Sequence, residues 1–345
     1  MGLYLGITKD IGIDLGTANI IVTIPKVGIV YREATAIAID NRNGEVVATG
    51  NKAKEMIGKT PSYITAVRPL KEGVIADFSA AKLLLKEILK KIFYKYKIMG
   101  PTIVVGVPKL ITEVERRAVE EVLYGTGARK VYIVEETIAS AIGSGMRIEE
   151  AKGKMIVDIG GGTTEIAILS LGGIVTSESL RVAGDKFDND IIKFIRRKYN
   201  VEIGEITAER IKCQIGTAKA FVPEEYMLVK GKDLSMGYPV QIEVNSSDME
   251  FALRRSIYQI TDEIKNVIEK TPPEVVSDIV ETGIVITGGS SQIRYLDELI
   301  GDRIGVNVVV AVNPLDSVSI GTNMMVEKID KYKFVYEGMR FNEQK

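Results

Sequence analysis

A short motif occurs twice in this chain: Gly12-Ile13-Asp14-Leu15-Gly16-Thr17 returns as Val157-Asp158-Ile159-Gly160-Gly161-Gly162-Thr163. Each copy has an apolar run ending in Asp (Ile11 to Asp14; Met155 to Asp158), a Gly/Thr turn and a second apolar run (Ile20 to Ile24; Glu165 to Leu169). Apolar runs flanking a glycine turn predict a β-hairpin in each copy. Asp14 and Asp158 stand 144 residues apart, about the length of one domain. A chain of 345 residues has room for two such units with full cores. The expectation is two similar lobes, each with a polar hairpin tip, the tips facing one cleft.

Strand and helix signals alternate between and after the repeats. Ala81, Leu85, Ile88, Ile92 and Tyr96 form a helical stripe over 79–96 behind an Asp77/Ser79 cap. A strand is expected at 102–107. Thr112 and Glu115 have capping-box spacing for a helix through Leu123. A strand at 130–134 and a helix at 138–144 follow, the latter ending in the Gly143–Gly145 stretch. In the second half, Leu253, Ile257, Ile260, Ile264 and Val267 mark a helix over about 248–270, stopped by Pro272 and Pro273. A strand at 283–287 comes next. This order predicts an α/β fold.

Composition narrows the chemistry. The chain has no histidine, which removes histidine bases, Ser-His and Cys-His nucleophile pairs and histidine-ligated zinc. Carboxylates, hydroxyls, backbone amides and a bound ion remain. Cys213 is the sole cysteine; it can form no internal disulfide, as expected of a reducing, cytoplasmic setting. Forty-five basic against 46 acidic residues leave a net charge of -1, so a broad nucleic-acid footprint is not expected. No apolar run nears the roughly 18 residues of a membrane span.

Several positions suit phosphate chemistry, and each has a plainer alternative. Gly160-Gly161-Gly162-Thr163-Thr164 lets backbone amides approach a phosphate chain, or is a tight turn. Asp14 and Asp158 at strand ends suit magnesium held through its waters, or cap turns. Glu135 and Glu136 open a helix, where a carboxylate orients an attacking water or settles against the helix dipole. Glu209 and Lys212 share a helix face and bracket a ribose or base, or pair with each other. Thr287-Gly288-Gly289-Ser290 ends a strand and opens a helix, as an anion or ring site or a simple connection.

Together these stretches resemble the actin, sugar kinase and heat-shock ATPase superfamily, and within it the bacterial actin MreB family. The likeness runs over nearly the whole chain. It includes Asp14 through Asn19, Gly106-Val107-Pro108, Val134-Glu135-Glu136, Asp158 through Glu165, Ala183-Gly184-Asp185, Ala208 through Lys212 and Thr271-Pro272-Pro273-Glu274. The resemblance implies an actin-like ATPase fold of two similar lobes around a nucleotide cleft, each with a small subdomain. Lobe I would be 1–144 plus 315–345, with its subdomain near 33–65; lobe II would be 145–314, with its subdomain near 182–245. ATP or ADP would be held by Gly16, Thr17, Ala18 and Asn19 from one hairpin and Gly160, Gly161, Gly162, Thr163 and Thr164 from the other. Gly184 would also bind the nucleotide, and Glu209, Lys212, Gly288 and Gly289 would contact its nucleoside side. Mg2+ would lie near Asp14 and Asp158, and Glu136 with Thr163 would activate water.

Two positions depart from the family pattern. Thr137 stands where proline usually follows the catalytic glutamate, which implies slower hydrolysis. Ser290 stands where a third glycine is usual, which implies altered nucleotide affinity or exchange. The resemblance further implies self-assembly into paired filaments, and contact with an anionic membrane at the inner face of the cell membrane, without nucleic acid. For that contact, Tyr96 to Met99 among Lys90, Lys91, Lys95 and Lys97 is the expected segment. Met1 to Leu5 and the tail carrying Lys331, Lys333, Phe334, Tyr336, Arg340 and Phe341 are alternatives. A nucleotide-sensing scaffold and a small-molecule phosphotransferase of the same superfamily are the rival functions; the second would need a base for its acceptor, and no motif supplies one.

Overall fold

The computed structural model describes residues 9–220 and 223–336. Contacts divide the chain into two compact units. The first runs to Glu150 and takes in Leu171–Gly173 and the chain from Asp316 on; the second holds Ala151–Ser170 and Ile174–Leu315.

In the first unit a five-stranded sheet has the order Lys130–Glu135, Thr102–Val107, Ile11–Leu15, Asn19–Ile24, Gly28–Ala34. The first repeat copy is its central hairpin: Ile11–Leu15 runs antiparallel to Asn19–Ile24 and parallel to Thr102–Val107, with Asp14 opposite Gly106. Covered on both faces, the central strands are apolar throughout rather than alternating. Ile11, Ile13 and Leu15 pack with Leu84, Ile88 and Leu89 of the helix Phe78–Tyr96. On the opposite pleat, Gly12 meets the helix Ser317–Glu327; a side-chain carbon at Gly12 would come 2.8 Å from the Asn323 amide. Asp77 caps the Phe78–Tyr96 helix by accepting the Ala80 N–H at 2.9 Å. The capping box of Thr112 and Glu115 opens the helix Glu113–Gly125. A smaller sheet, Val46–Thr49, Ile37–Asp40, Ile64–Val67, carries the helix Asn51–Met56 over an alanine cluster.

The second unit repeats the design. Its five-stranded sheet has the order Gly173–Leu180, Thr164–Ser170, Lys154–Ile159, Ile284–Thr287, Val308–Val310. The second repeat copy is again the central hairpin, and Asp158 lies opposite Thr287 in a parallel pair. The helix Ser246–Glu269 starts from Asn245, which accepts the Asp248 N–H at 2.8 Å, and is followed by Pro273–Thr282 with proline in its first turn. A small sheet of Val201–Glu202, Tyr226–Asp233 and Pro239–Asn245 lies against the helices Gly184–Tyr199 and Glu205–Ile215.

Three details differ from the sequence expectations. The helix expected at 138–144 spans Glu136–Gly143, because Thr137 through Ile142 are all buried and leave no polar stripe to mark its start. Thr287 is followed by one 3-10 turn, Gly289–Gln292, and the α-helix waits until Leu296–Ile304. Within 96–99, Ile98 is only 5% exposed. Lys97 adopts a left-handed conformation, and the Ile98 N–H returns to the Phe93 carbonyl at 3.0 Å, folding Ile98 back on the helix. Tyr94 and Met99, 89% and 81% exposed, are the free apolar side chains there. In the tail, Tyr332 and Tyr336 are buried and Tyr336 stacks on Tyr132; Met1 to Leu5, Arg340 and Phe341 lie outside the described residues. Among the described residues no helix is long and apolar enough to cross a membrane.

Candidate nucleotide site

In both sheets the central strand runs parallel to a neighbour, so the candidate residues gather at the carboxyl ends of parallel strands. That is where open α/β sheets bind ligands.

In the first unit, Asp14 is 9% exposed near the end of its strand, before the turn Gly16–Ala18. This turn is held from behind: Thr35 donates its hydroxyl to the Gly16 carbonyl at 2.7 Å and its amide to the Ala18 carbonyl at 2.9 Å. A side-chain carbon at Gly16 would come 2.8 Å from the Asn19 carbonyl and 3.4 Å from Asp14 Oδ1, so the turn needs glycine. Thr17 is buried and Asn19 begins the return strand. On the neighbouring strands, Val134 and Asp14 both register with Gly106. Glu136 opens its helix beside that glycine, its Cγ 3.7 Å from where a Gly106 side chain would start. Burial pushes the Glu135 carboxyl up from its usual value, against the opposing pull of Lys109 and Arg116. The Thr137 hydroxyl is buried with no hydrogen-bond partner among the described residues, in a position the family pattern gives to a residue with no hydroxyl.

In the second unit, Gly160 closes the hairpin with its amide on the Thr163 carbonyl at 2.9 Å. Thr163 is 5% exposed, and Thr164 is fully buried with its hydroxyl on the Val182 carbonyl at 2.6 Å. The start of the helix Gly184–Tyr199 is tied to this tip: Gly184 N–H donates to the Gly160 carbonyl at 3.2 Å and Asp185 N–H to that of Gly161 at 2.7 Å. Ser290 donates its hydroxyl to the same Gly160 carbonyl at 2.8 Å. Gly288 has φ of 83°, and any side chain there would collide with Asp158 Oδ1 and the Ile159 carbonyl; the glycine therefore lets Asp158 sit, 7% exposed, beside the turn. The Gly289 site faces Leu315, 3.1 Å from where its side chain would start.

Glu209 and Lys212 share the helix Glu205–Ile215. Lys212 is deeply set: its Nζ lies 2.9 Å from Asp188 Oδ1 and 3.0 Å from the Gly184 carbonyl. Burial raises the Asp188 pKa to about 6, with Lys212 pulling the other way. The structure thus brings Gly160, Gly184, Lys212 and Ser290 together, with Asp188 as a member that sequence reading missed. The signal was present, since Gly184 and Asp188 are four residues apart on one helix and so share a face.

The residues present fit the implied groups. No three carboxylates or cysteines cluster as a metal cage among the described residues. Asp14 and Asp158 are single, nearly buried carboxylates beside glycine turns, as suits Mg2+ that keeps most of its waters and takes phosphate oxygens. The glycine turns supply backbone approach for a phosphate chain.

The family described as MreB/Mbl protein matches residues 8–334. The cell shape-determining protein Mbl of Bacillus subtilis is 45% identical over 323 residues, covering 94% of this chain and 97% of that protein. The cell shape-determining protein MreB of Escherichia coli is 43% identical over 330 residues, covering 94% and 95%. Among solved structures, MreB5 of Spiroplasma citri bound to ADP superposes with a TM-score of 0.90 at 38% identity, covering 94% of this chain and 98% of that one. A MamK double helical filament subunit has a TM-score of 0.77 at 22% identity, a likeness of fold.

Proposed function

Because this chain belongs to the MreB/Mbl family and has its actin-like fold, we propose that it is a cytoskeletal ATPase. On this reading it binds ATP with Mg2+, hydrolyses it slowly, and polymerises into filaments that determine cell shape or drive movement of the cell body. The observation that carries the reading is the repeated hairpin with a nearly buried aspartate at the same place in both sheets. Relatives described as bound to ADP and to AMPPNP support the ligand class, a MamK filament supports assembly, and the names of Mbl and MreB support the role in shape.

The Gly16 to Asn19 and Gly160 to Thr164 turns are assigned to the phosphates. Gly184 is also assigned to the nucleotide, and Glu209, Lys212, Gly288 and Gly289 to its nucleoside side. Magnesium held near Asp14 and Asp158 would neutralise phosphate oxygens. Glu136 is assigned to orient the attacking water and accept its proton, with the Thr163 hydroxyl helping to position it. The filaments are proposed to be paired and to lie on the inner face of the membrane, with Tyr94 and Met99 at the end of the Phe78–Tyr96 helix entering the lipid among Lys90, Lys91, Lys95 and Lys97.

Pelleting with and without ATP, with phosphate release from the same sample, tests the proposal. Glu136→Ala is expected to pellet with ATP while losing most of its phosphate release, a change of 10²-fold or more at the scale of one general base, about 10²–10⁴. Release unchanged in that variant would remove Glu136 from its role. Protein that hydrolyses ATP yet stays unassembled, with and without liposomes, would favour a scaffold or a phosphotransferase.

A further inference from the structure

The cations of the helix Gly184–Tyr199 are of two kinds. Lys186 pairs with Asp190, and Lys198 with Asp248. Lys193, Arg196 and Arg197 are exposed and have no acidic partner among the described residues. With Asn200 and Leu234 they line an open depression of the surface. Positions 193, 196, 197 and 200 follow the i, i+3, i+4, i+7 spacing of one helix face. A helix C-terminus attracts cations, but that attraction fades beyond the last turn. Lys193 stands six residues before Tyr199, so the helix end does not account for the whole stripe or for the depression.

Leu234, on the far side of the depression, belongs to a stiff turn. Asp233 accepts the amides of Ser235 and Met236 at 2.7 and 2.8 Å, and Gly237 N–H returns to the Asp233 carbonyl at 2.9 Å. Leu234 N–H reaches the Asn200 carbonyl at 3.0 Å, and the Asn200 amide group reaches Ser235 at 2.7 Å, joining turn and helix end. Met236 and Tyr238 are nonetheless 70% and 68% exposed. Of the acids on these elements, Asp233 accepts hydrogen bonds within the turn and Asp190 pairs with Lys186. Two guanidinium groups suit phosphate oxygens. A methionine and a tyrosine held in water beside them suit a headgroup layer.

We propose that this groove and turn bind the phosphate of an anionic lipid headgroup, with Met236 and Tyr238 entering the interface. The site goes beyond the membrane contact proposed above, which belongs to the other unit and uses Tyr94 and Met99. The full chain in a Cys213→Ser background, with Met236→Cys carrying an environment-sensitive fluorophore, tests it on vesicles of phosphatidylglycerol mixed with phosphatidylcholine. A blue shift is expected on these and none on phosphatidylcholine alone. Combining K193Q, R196Q and R197Q is expected to weaken vesicle binding by this label about a hundredfold, at about fivefold per basic residue near an anionic surface. ATP binding should be unchanged, since none of the three side chains belongs to the segments assigned to the nucleotide and none has an acidic partner among the described residues. Should that triple variant fold poorly, M236S with Y238S in the unlabelled chain is expected to cut vesicle binding as well.

No shift at position 236 on anionic vesicles would overturn the proposal. So would a triple variant that folds and binds as tightly as the parent. Stabilisation by inorganic phosphate that the triple variant loses, without any vesicle response, would make this a soluble-anion site and overturn the lipid assignment. A parallel Met99→Cys label reports the other unit's contact, so failure at one location is distinguishable from failure at both.

Discussion

Single atoms decide how the second unit's turn is held. The Gly160 carbonyl accepts both the Gly184 amide and the Ser290 hydroxyl, so the serine that replaces a family glycine adds a bond between two nucleotide-assigned segments. Ser290→Gly is expected to raise the rate of release of a fluorescent ATP analogue about two- to tenfold, the worth of one net hydrogen bond of about 0.5–1.5 kcal/mol; an unchanged rate would show that the bond does not restrain exchange. Asp188 gives a pH dependence. Its folded pKa of about 6 lies above the ordinary 3.8, so the folded protein binds the proton more readily than the unfolded one. This carboxyl's contribution is therefore full below about pH 4 and is lost as pH rises to about 6. The loss amounts to at most about 3 kcal/mol. Melting temperatures over that range should fall more steeply for the parent than for Asp188→Asn, and parallel curves would refute the assignment.

Elements meet most closely where the helix Glu136–Gly143 crosses Ser317–Glu327. A side-chain carbon at Gly321 would overlap the Ala139 carbonyl, and one at Gly143 would overlap that of Ser317. Alanine gains about 1 kcal/mol of helix propensity over glycine, but here it strikes backbone that has no rotamer to change. Gly321→Ala is expected to destabilise by about 1–3 kcal/mol, seen as a lower denaturant midpoint, and a midpoint at or above the parent's would show that the helices separate without cost. Local signals made much of this level legible. Asp-to-glycine turns marked both hairpins, the Thr112/Glu115 box marked a helix start, and Pro272 and Pro273 marked a helix stop. Contacts across the chain were not legible. The Gly321–Ala139 approach and the choice of Lys212 as partner for Asp188 join different segments of the chain, and no periodicity within one segment encodes them.

At the scale of the molecule, each unit carries one hairpin tip, and both tips are among the residues proposed for the nucleotide. Mg-ATP at a hundred times its dissociation constant should stabilise the full chain by about 2.7 kcal/mol. Asp14→Asn and Asp158→Asn should each lose most of the accompanying rise in melting temperature. Retention of the full rise by Asp14→Asn would confine nucleotide binding to the second unit. The repeat and the α/β alternation made the paired design legible, whereas the return of the last helix to the first unit was beyond them, because Gly12, Gly143 and Gly321 reveal their partners only once folded. That return orders the protein's assembly at the ribosome. The second unit is an insertion within the first, so its strands are all synthesised before residues 317–327. The helix that begins at Glu136 can seat against its partner only after nearly the whole chain has been translated, which makes the proposed hydrolytic carboxylate among the last features of the nascent protein to reach its final setting.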